Sequence, residues 1–330
     1  MRRAVWTDDG LAVTESDPPP LAAGWARLQV EACGICGSDL HFWHGQMARP
    51  MGTAPGHEFV GTVMDGPADL ADVRYVGSPA VSCGACEYCT TGAPHLCGRG
   101  GPSIGLGRDG AMADYVDVPL GNIFPVADTV DARLASLGEP VAVAVRGISI
   151  GAPGSESRVL VLGAGTVGLI AALVARDRAA EVAITARYPH QRAAAERLGV
   201  TVLGETDGPA WGKEHRPDVV VETVGGTADT MNTAIRVARR GGRIVVLGTF
   251  QTVPVDLLRA QLKELQILTS FAYGTNRRGS DFGTAVELLP RWRDELSVLQ
   301  THQFALDQAT TAFETAADKT SEALKVTVVP

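Results

Sequence analysis

Residues 158–168 read RVLVLGAGTVG, and this stretch decides the fold of the chain around it. The apolar run at 159–162 has the length and branching of a parallel strand that is buried on both faces. Gly163, Gly165 and Gly168 follow in the spacing G-x-G-x-x-G, just before a helical stretch. The first glycine allows a tight turn, the second lets the backbone approach a pyrophosphate, and the third lets the helix pack on the strand. This order of strand, turn and helix predicts a dinucleotide-binding site.

The segment after the glycines alternates between strands and helices. Thr166 and Val167 begin the predicted helix, where free backbone N–H groups and the positive end of the helix dipole attract phosphate. Strands and helices then take turns through short loops, which is typical of a doubly wound parallel sheet. We therefore predict an α/β protein in which residues 146–289 form a Rossmann dinucleotide-binding domain.

The N-terminal part of the chain has a different pattern. Residues 1–35 alternate in short apolar and polar runs divided by turn residues, which indicates a β-meander, and residues 111–126 return to short strands. Because a single core stops growing near ~250–300 residues, the length of 330 residues suggests two domains. After about residue 290 the pattern is strand, helix, strand. We predict a mainly β domain at residues 1–145, joined by residues 290–330.

Charge and composition exclude several classes of partner. The net charge is −8 with no block of like charges, so neither nucleic acid nor an anionic membrane surface is an expected partner. No segment approaches the ~18 consecutive apolar residues of a membrane span. The N-terminus, MRRAVWTDDG, becomes acidic before a signal-peptide core could form. These features predict a cytoplasmic protein.

All six cysteines lie in the first third of the chain, and such crowding in a reducing compartment favours metal binding over disulfides. Four of them have the spacing C-x2-C-x2-C-x7-C in a loop without hydrophobic period. Four thiolates so close together can surround one tetrahedral Zn²⁺ completely, which is a structural arrangement. The four are Cys83, Cys86, Cys89 and Cys97.

A second set of candidate ligands is dispersed. Cys36, His57 and Glu58 offer sulfur, nitrogen and oxygen. A catalytic zinc needs about three such ligands and one open position. An isolated His-Glu pair is more often part of a solvated turn. These three residues alone therefore do not decide whether a metal site is present.

Four motifs, GICGSDLH, GHEFVG, the four-cysteine loop and GAGTVG, occur in this order along the chain. Together they resemble the zinc-dependent medium-chain dehydrogenase/reductase family, and within it the alcohol and polyol dehydrogenases of the sorbitol and glucose dehydrogenase branch. The resemblance implies a GroES-like first domain and a Rossmann second domain. It implies that Cys36 and His57 bind the catalytic zinc and that the four-cysteine loop binds the structural one. Glu58 matches a carboxylate that ligates zinc or exchanges with water, and Glu139 matches a glutamate that binds zinc directly or through water.

The same resemblance assigns residues around the zinc. Ser38 and His41 match a proton relay, and their offset of one helical turn puts them on one side of a helix. Without the family, a helix N-cap and a surface residue would be the simpler roles. Asp39 matches the carboxylate that orients the zinc-bound His57. Cys33 has no ligand counterpart, so we expect it to be a small buried residue.

The end of the strand after the glycine motif indicates which nicotinamide cofactor binds. NAD-preferring Rossmann folds carry an acid there that holds the ribose hydroxyls. Here Ala186 takes that place, Arg187 follows, and Arg192 is near in sequence. The loss of a carboxylate and the gain of guanidinium groups suit a 2′-phosphate. We predict NADP(H) rather than NAD(H).

These observations predict a zinc-dependent oxidoreductase that transfers hydride between nicotinamide and a secondary alcohol, polyol or sugar-like substrate. Two alternatives stay open. One is a zinc-free quinone or enoyl reductase of the same superfold, and the other is a non-catalytic NADP(H)-binding redox sensor. Relatives in the family commonly pair through the edge of the nucleotide-binding sheet, which implies a homodimer or homotetramer formed near RIVVLG and LQILTSF.

Overall fold

The computed structural model describes residues 1–276 and 279–330 of the chain. These residues form two compact units. The first consists of Met1–Glu139 together with Gly274–Pro330, and the second of Pro140–Tyr273. The fold is mixed α/β, as predicted.

The secondary-structure elements are numbered in chain order. The strands are β1 (Arg2–Thr7), β2 (Gly10–Glu15), β3 (Trp25–Gly34), β4 (Glu58–Asp65), β5 (Arg74–Gly77), β6 (Ser103–Ile104), β7 (Gly107–Arg108), β8 (Tyr115–Pro119), β9 (Ile123–Pro125), β10 (Arg158–Leu162), β11 (Glu181–Ala186), β12 (Thr201–Gly204), β13 (Val219–Glu222), β14 (Arg243–Val246), β15 (Gln266–Thr269), β16 (Thr275–Asn276), β17 (Gly279–Ser280), β18 (Gln300–Ala305) and β19 (Lys325–Val329). The α-helices are α1 (Gly37–Trp43), α2 (Glu87–Thr90), α3 (Ala132–Ala135), α4 (Gly138–Gly151), α5 (Thr166–Arg176), α6 (Pro189–Arg197), α7 (Gly208–His215), α8 (Thr230–Val237), α9 (Leu257–Leu262), α10 (Asp281–Leu288), α11 (Arg293–Ser297) and α12 (Ala309–Ala317).

The first unit is built on a seven-stranded, mainly antiparallel sheet. Its order is β18-β19-β3-β4-β5-β9, and β8 also pairs with β3. Strand β3 buries alternate side chains, Ala26, Leu28 and Val30, so the period of two in the sequence places one face in the core. The ring of Phe313 from α12 meets Trp6 edge to face at 5.4 Å. The C-terminal segment thus adds two strands and a helix to this unit.

The second unit contains a six-stranded parallel sheet in the order β12-β11-β10-β13-β14-β15. Strand β10, which carries the decisive apolar run, is central in the sheet, and residues 159–162 are fully buried. Helix α7 was not expected from the sequence because Gly208, Pro209 and Gly212 interrupt its pattern. Gly212 is required there, since a Cβ would lie 2.5 Å from Val237. The strand order is that of a Rossmann fold.

The boundaries between the units differ from the expected ones at 145 and 290. The stretch 274–289 belongs to the first unit, because the ring of Phe282 in α10 packs on Phe124 of β9 at 4.9 Å. At the other boundary, Gly147 of α4 lies close to Leu247 of the second unit. Both contacts join residues that are far apart in sequence, so no local pattern marks them.

One helical stretch, Ala132–Gly151, is long and apolar enough to cross a membrane by length and composition. However, 78% of its most apolar window is buried inside the protein. Its apolar character is therefore that of a core helix.

Candidate active site

The four-cysteine loop brings its sulfur atoms together. The Sγ atoms of Cys83, Cys86, Cys89 and Cys97 all lie within 4.8 Å of one another. Cys86 Sγ is 3.4 Å from Cys89 Sγ and 3.7 Å from Cys97 Sγ. A tetrahedron with Zn–S bonds of ~2.3 Å has edges of about 3.8 Å. The spacing of the sulfurs therefore fits one zinc ion without rearrangement.

The electrostatics of this loop also suit a cation. Backbone N–H groups of Cys83 and Arg99 point at the sulfur of Cys97 and lower its pKa to about 6. At Cys86, a backbone N–H of Cys89 acts to lower the pKa, but desolvation and the neighbouring thiols raise it to about 11. Backbone N–H groups of Ala85 and Cys86 lower the pKa of Cys83 too, whereas the neighbouring thiols oppose the ionisation of Cys86. A divalent cation removes that opposition.

The dispersed set converges as well. A ligand atom from each of Cys36, His57 and Glu58 lies within 4.8 Å of the other two. Cys36 caps the start of α1, and His57 and Glu58 enter β4. The turn before His57 depends on Gly56, whose φ is +101° and whose Cβ would lie 2.5 Å from Cys33 Sγ. Sulfur, nitrogen and oxygen donors in this arrangement fit a zinc site.

His57 is surrounded by polar groups. Its Nδ1 faces Asp39 Oδ1 at 3.4 Å, and its Nε2 lies 3.2 Å from Ser38 Oγ. Asp39 is fully buried, and its other oxygen accepts a hydrogen bond from the backbone N–H of Cys36 at 2.9 Å. Burial acts to lower the pKa of His57, but Asp39 and Cys36 outweigh it and raise the pKa well above the usual value. This position therefore favours a positive charge, whether a proton or a metal ion.

The structure adds a residue that the sequence did not single out. Lys325, at the start of β19, is 3% exposed and donates to both oxygens of Glu58, at 2.8 and 2.5 Å. Gly34 makes room for this carboxylate, since a Cβ there would lie 2.2 Å from Glu58 Oε2. Lys325 is far from Glu58 in sequence, and its only signal is a charged residue heading a strand that is otherwise apolar and buried.

Glu139 lies near this cluster but outside its ligand set. It stands in the first turn of α4 and is buried. Burial raises its pKa to about 7; Glu58 adds to the shift, and His57 opposes it. Its electrostatic coupling to both residues places it in the same neighbourhood. Ligation of zinc by Glu139 stays a prediction.

Two other residues have distinct surroundings. His41 Nδ1 pairs with the Gln46 side chain at an exposed position rather than with Ser38. Cys33 is completely buried, and burial is the main cause that raises the pKa of its thiol well above the usual value. The expectation of a small buried residue at Cys33 agrees with this environment.

The glycine loop has the geometry that its three positions predict. Gly163 adopts a φ of +100°, which favours glycine. A Cβ on Gly168 would lie 2.0 Å from the carbonyl oxygen of Gly163, whereas one on Gly165 would meet no atom within 4 Å. Helix α5 begins at Thr166, with Val167 in its first turn. An open backbone surface at a helix start fits a dinucleotide phosphate.

Ala186, the last residue of β11, is fully buried, and Arg187 just after it is exposed. The guanidinium of Arg187 lies 3.4 Å from Glu205 and over the ring of Tyr188. The guanidinium of Arg192 approaches Gly204, where a Cβ would lie 3.2 Å from it. Two guanidinium groups thus lie near the paired ends of β11 and β12.

Comparison with known proteins gives the class to which this fold and site belong. Residues 22–128 match the alcohol dehydrogenase GroES-like domain, and residues 166–291 match the zinc-binding dehydrogenase family. An L-threonine 3-dehydrogenase from Streptomyces avermitilis is 35% identical over 269 residues, covering 76% of this chain and 78% of the relative. The chain belongs to the zinc-dependent medium-chain dehydrogenase family, and it is an NAD(P)-dependent alcohol or polyol dehydrogenase.

Solved structures agree over the whole chain. A zinc-binding dehydrogenase from Sinorhizobium meliloti 1021, bound to NADP, has a TM-score of 0.88 at 29% identity and covers 100% of this chain and 99% of its own. An alcohol dehydrogenase from Escherichia coli CFT073, complexed with NADH, has a TM-score of 0.89 at 25% identity with the same coverage. One neighbour holds NADP and the other NADH, so similarity alone does not choose the cofactor.

Proposed function

We propose that the protein transfers hydride between NADP(H) and a secondary alcohol carried by a polyol, a sugar-like molecule or another small polar substrate. The observation that carries this proposal is the convergence of Cys36, His57 and Glu58 within 4.8 Å. When bound, zinc polarises the alcohol oxygen and the nicotinamide accepts or returns the hydride. The polyol preference rests on the two glutamates, Glu58 and Glu139. A relative named as a threonine dehydrogenase makes β-hydroxy amino acids a further class to test.

The side chains of this chain have separate tasks in that reaction. Cys36 and His57 hold the metal, and Asp39 faces His57 and fixes its ring. Ser38 Oγ lies beside the Nε2 atom of His57, so its hydroxyl is close to where an alcohol proton would leave. We assign His41, one helical turn further along α1, as the outer end of the relay.

The two alternatives make different predictions about metal and turnover. A zinc-free quinone or enoyl reductase has no use for two clusters of ligands, and a redox sensor has no use for a relay. The test is the zinc content of protein purified without chelator, followed by a panel of polyols, sugars, L-threonine and ketones with each cofactor. Two zinc ions per chain and turnover that disappears on chelation support the proposal. Turnover that survives the loss of zinc would favour the reductase, and zinc in the loop alone without turnover would favour the sensor.

Preference for NADP(H) is proposed from the residues at the end of β11. The side chains of Arg187 and Glu205 are 64% and 59% exposed. Because solvent screens exposed charges, their ion pair is worth only about 0–1 kcal/mol. A 2′-phosphate offers charge-assisted bonds worth about 1.5–3 kcal/mol. Arg187 would therefore exchange its carboxylate partner for the phosphate, and Arg192 is a second donor.

We expect Arg187→Ala to weaken NADPH binding about 10- to 100-fold, because 1.4 kcal/mol corresponds to a factor of ten. NADH binding should change by less than about threefold, since NADH has no 2′-phosphate to lose. Titration of cofactor fluorescence measures both dissociation constants. Arg197→Ala, at the far end of α6, is the matched control. Equal losses for NADPH and NADH, or no loss for either, would contradict the proposed role.

A homodimer or homotetramer is proposed from an exposed apolar surface, defined here as α9 with β15. Leu257, Leu258 and Leu262 of α9 are 66%, 66% and 64% exposed, and Ile267 of β15 is 36% exposed. Strand β15 ends the six-stranded sheet. Because an unpaired edge beside exposed leucines favours association, a second copy of this chain is the expected occupant.

A double variant, Leu258→Asp with Leu262→Asp, should convert the oligomer to monomer, since each charge would be buried without a partner. Light scattering after size-exclusion chromatography measures the mass. Met64→Asp, a position 62% exposed in the first unit, should leave the mass unchanged. A monomeric wild-type protein at micromolar concentration would refute the assembly.

We also infer a cytoplasmic location, because a four-thiolate metal site needs reduced cysteines. The net charge of −8 gives no basis for nucleic acid or membrane partners. The expected partners are therefore a small-molecule substrate, the cofactor and further copies of the chain.

A further inference from the structure

All three N–H groups of the Lys325 ammonium have a hydrogen-bond acceptor. Its Nζ carries three N–H donors, and its partners are the two oxygens of Glu58 and the backbone carbonyl of Ile35 at 2.9 Å. The side chain is 3% exposed, and Glu58 is 1% exposed. A lysine is almost never buried without such pairing. The ammonium group is thus a fixed positive charge beside the candidate metal cluster.

Glu58 therefore has two competing uses. One of its oxygens lies within 4.8 Å of the ligand atoms of Cys36 and His57, so it is within reach of a shared metal ion. Both of its oxygens meanwhile accept a hydrogen bond from Lys325, which fixes where the carboxylate points and draws its negative charge toward the ammonium group. A catalytic zinc needs an open coordination position for the substrate oxygen. If Cys36, His57 and Glu139 supply three ligands, Glu58 as a fourth would close that position.

We propose that Lys325 is a positioning residue that holds the Glu58 carboxylate off the metal and so keeps one coordination position open for substrate. The inference rests on the proposed function, in which Cys36 and His57 bind the catalytic metal. The lysine comes from β19, which lies between β18 and β3 in the sheet. The C-terminal segment therefore acts on the candidate metal ligands at the start of α1 and at the start of β4. A role limited to neutralising a buried carboxylate would leave the coordination of the metal unchanged when the lysine is removed.

The test uses Co²⁺ in the full-length protein, because its visible absorption bands report coordination number and ligand type. Subtraction of the spectrum of cobalt-loaded Cys36→Ser removes the contribution of the four-cysteine loop. We expect Lys325→Met to change the remaining bands as a carboxylate joins the metal, and to slow cobalt loss to a chelator about 10-fold. Lys325→Arg keeps the positive charge and should keep the wild-type spectrum.

Glu58→Gln provides an arm that does not depend on the folding of the lysine variant. If Glu58 is held off the metal, this substitution leaves the wild-type cobalt spectrum unchanged, and it restores that spectrum when combined with Lys325→Met. A changed spectrum in Glu58→Gln alone, or identical spectra and chelation rates for wild type and Lys325→Met, would overturn the inference. Absence of any Cys36-dependent cobalt band in the wild type would instead refute the proposed metal centre.

Discussion

Cys36→Ser is expected to lower kcat/KM by at least about 10³-fold and to reduce the zinc content from two ions per chain to one. The sulfur of Cys36 is the one that the described residues place in the cluster with His57 and Glu58. A serine hydroxyl stays protonated near neutral pH and is a poor zinc ligand. Lewis-acid stabilisation of the alcohol oxygen supplies several kcal/mol, and each 1.36 kcal/mol is a factor of ten in rate.

Two matched variants separate catalysis from stability. Cys33→Ala removes a buried thiol three residues earlier and should keep both zinc ions and most of the activity. Cys86→Ser should lose the other zinc ion and lower the melting temperature, since its sulfur contacts those of Cys89 and Cys97. Metal analysis, melting curves and steady-state kinetics on the four proteins give the comparison. Full activity in Cys36→Ser, or loss of activity in Cys33→Ala alone, would contradict the assignment.

The fold was predictable wherever its signal is local. The apolar run at 159–162 and the glycines after it specify a buried strand and a turn within the single stretch 158–168. The structure confirms the Rossmann class. Helix α7 escaped prediction because its glycines and proline oppose the helical pattern, and the contact of Gly212 with Val237 overrides that preference. The unit boundary near 274 depends on the packing of Phe282, which no local pattern encodes.

The residues of the candidate site also differ in how far the local sequence predicts them. The four cysteines are close in sequence, so spacing alone predicts their cluster. Cys36 and His57 are joined through β3, α1 and the turn at Gly56, and the family motifs were needed to pair them. Lys325 could not be predicted, because a lysine at a strand start normally lies in solvent. Only the pairing of β19 with β3 carries it to Glu58.

Gly165→Ala is expected to weaken NADPH binding about 30-fold without lowering stability. The φ of Gly165 is −76°, which alanine adopts freely, and its Cβ would meet no protein atom within 4 Å. The methyl group would instead occupy the surface where the pyrophosphate must approach the backbone, and an overlap of this kind costs about 2 kcal/mol. Stability should hold or rise slightly, because alanine restricts the unfolded chain more than glycine does.

Gly168→Ala is the contrasting variant, since its methyl would lie 2.0 Å from the carbonyl oxygen of Gly163, where only backbone movement makes room. It should lose both NADPH affinity and at least about 2 kcal/mol of the free energy of unfolding. Cofactor titration and denaturant unfolding on the two variants separate the effects. A Gly165→Ala protein that binds NADPH like the wild type would show that the phosphates do not contact this turn. A fully stable Gly168→Ala protein would show that close packing of α5 on β10 is dispensable. Equal losses of stability in both would mean that the turn serves folding alone.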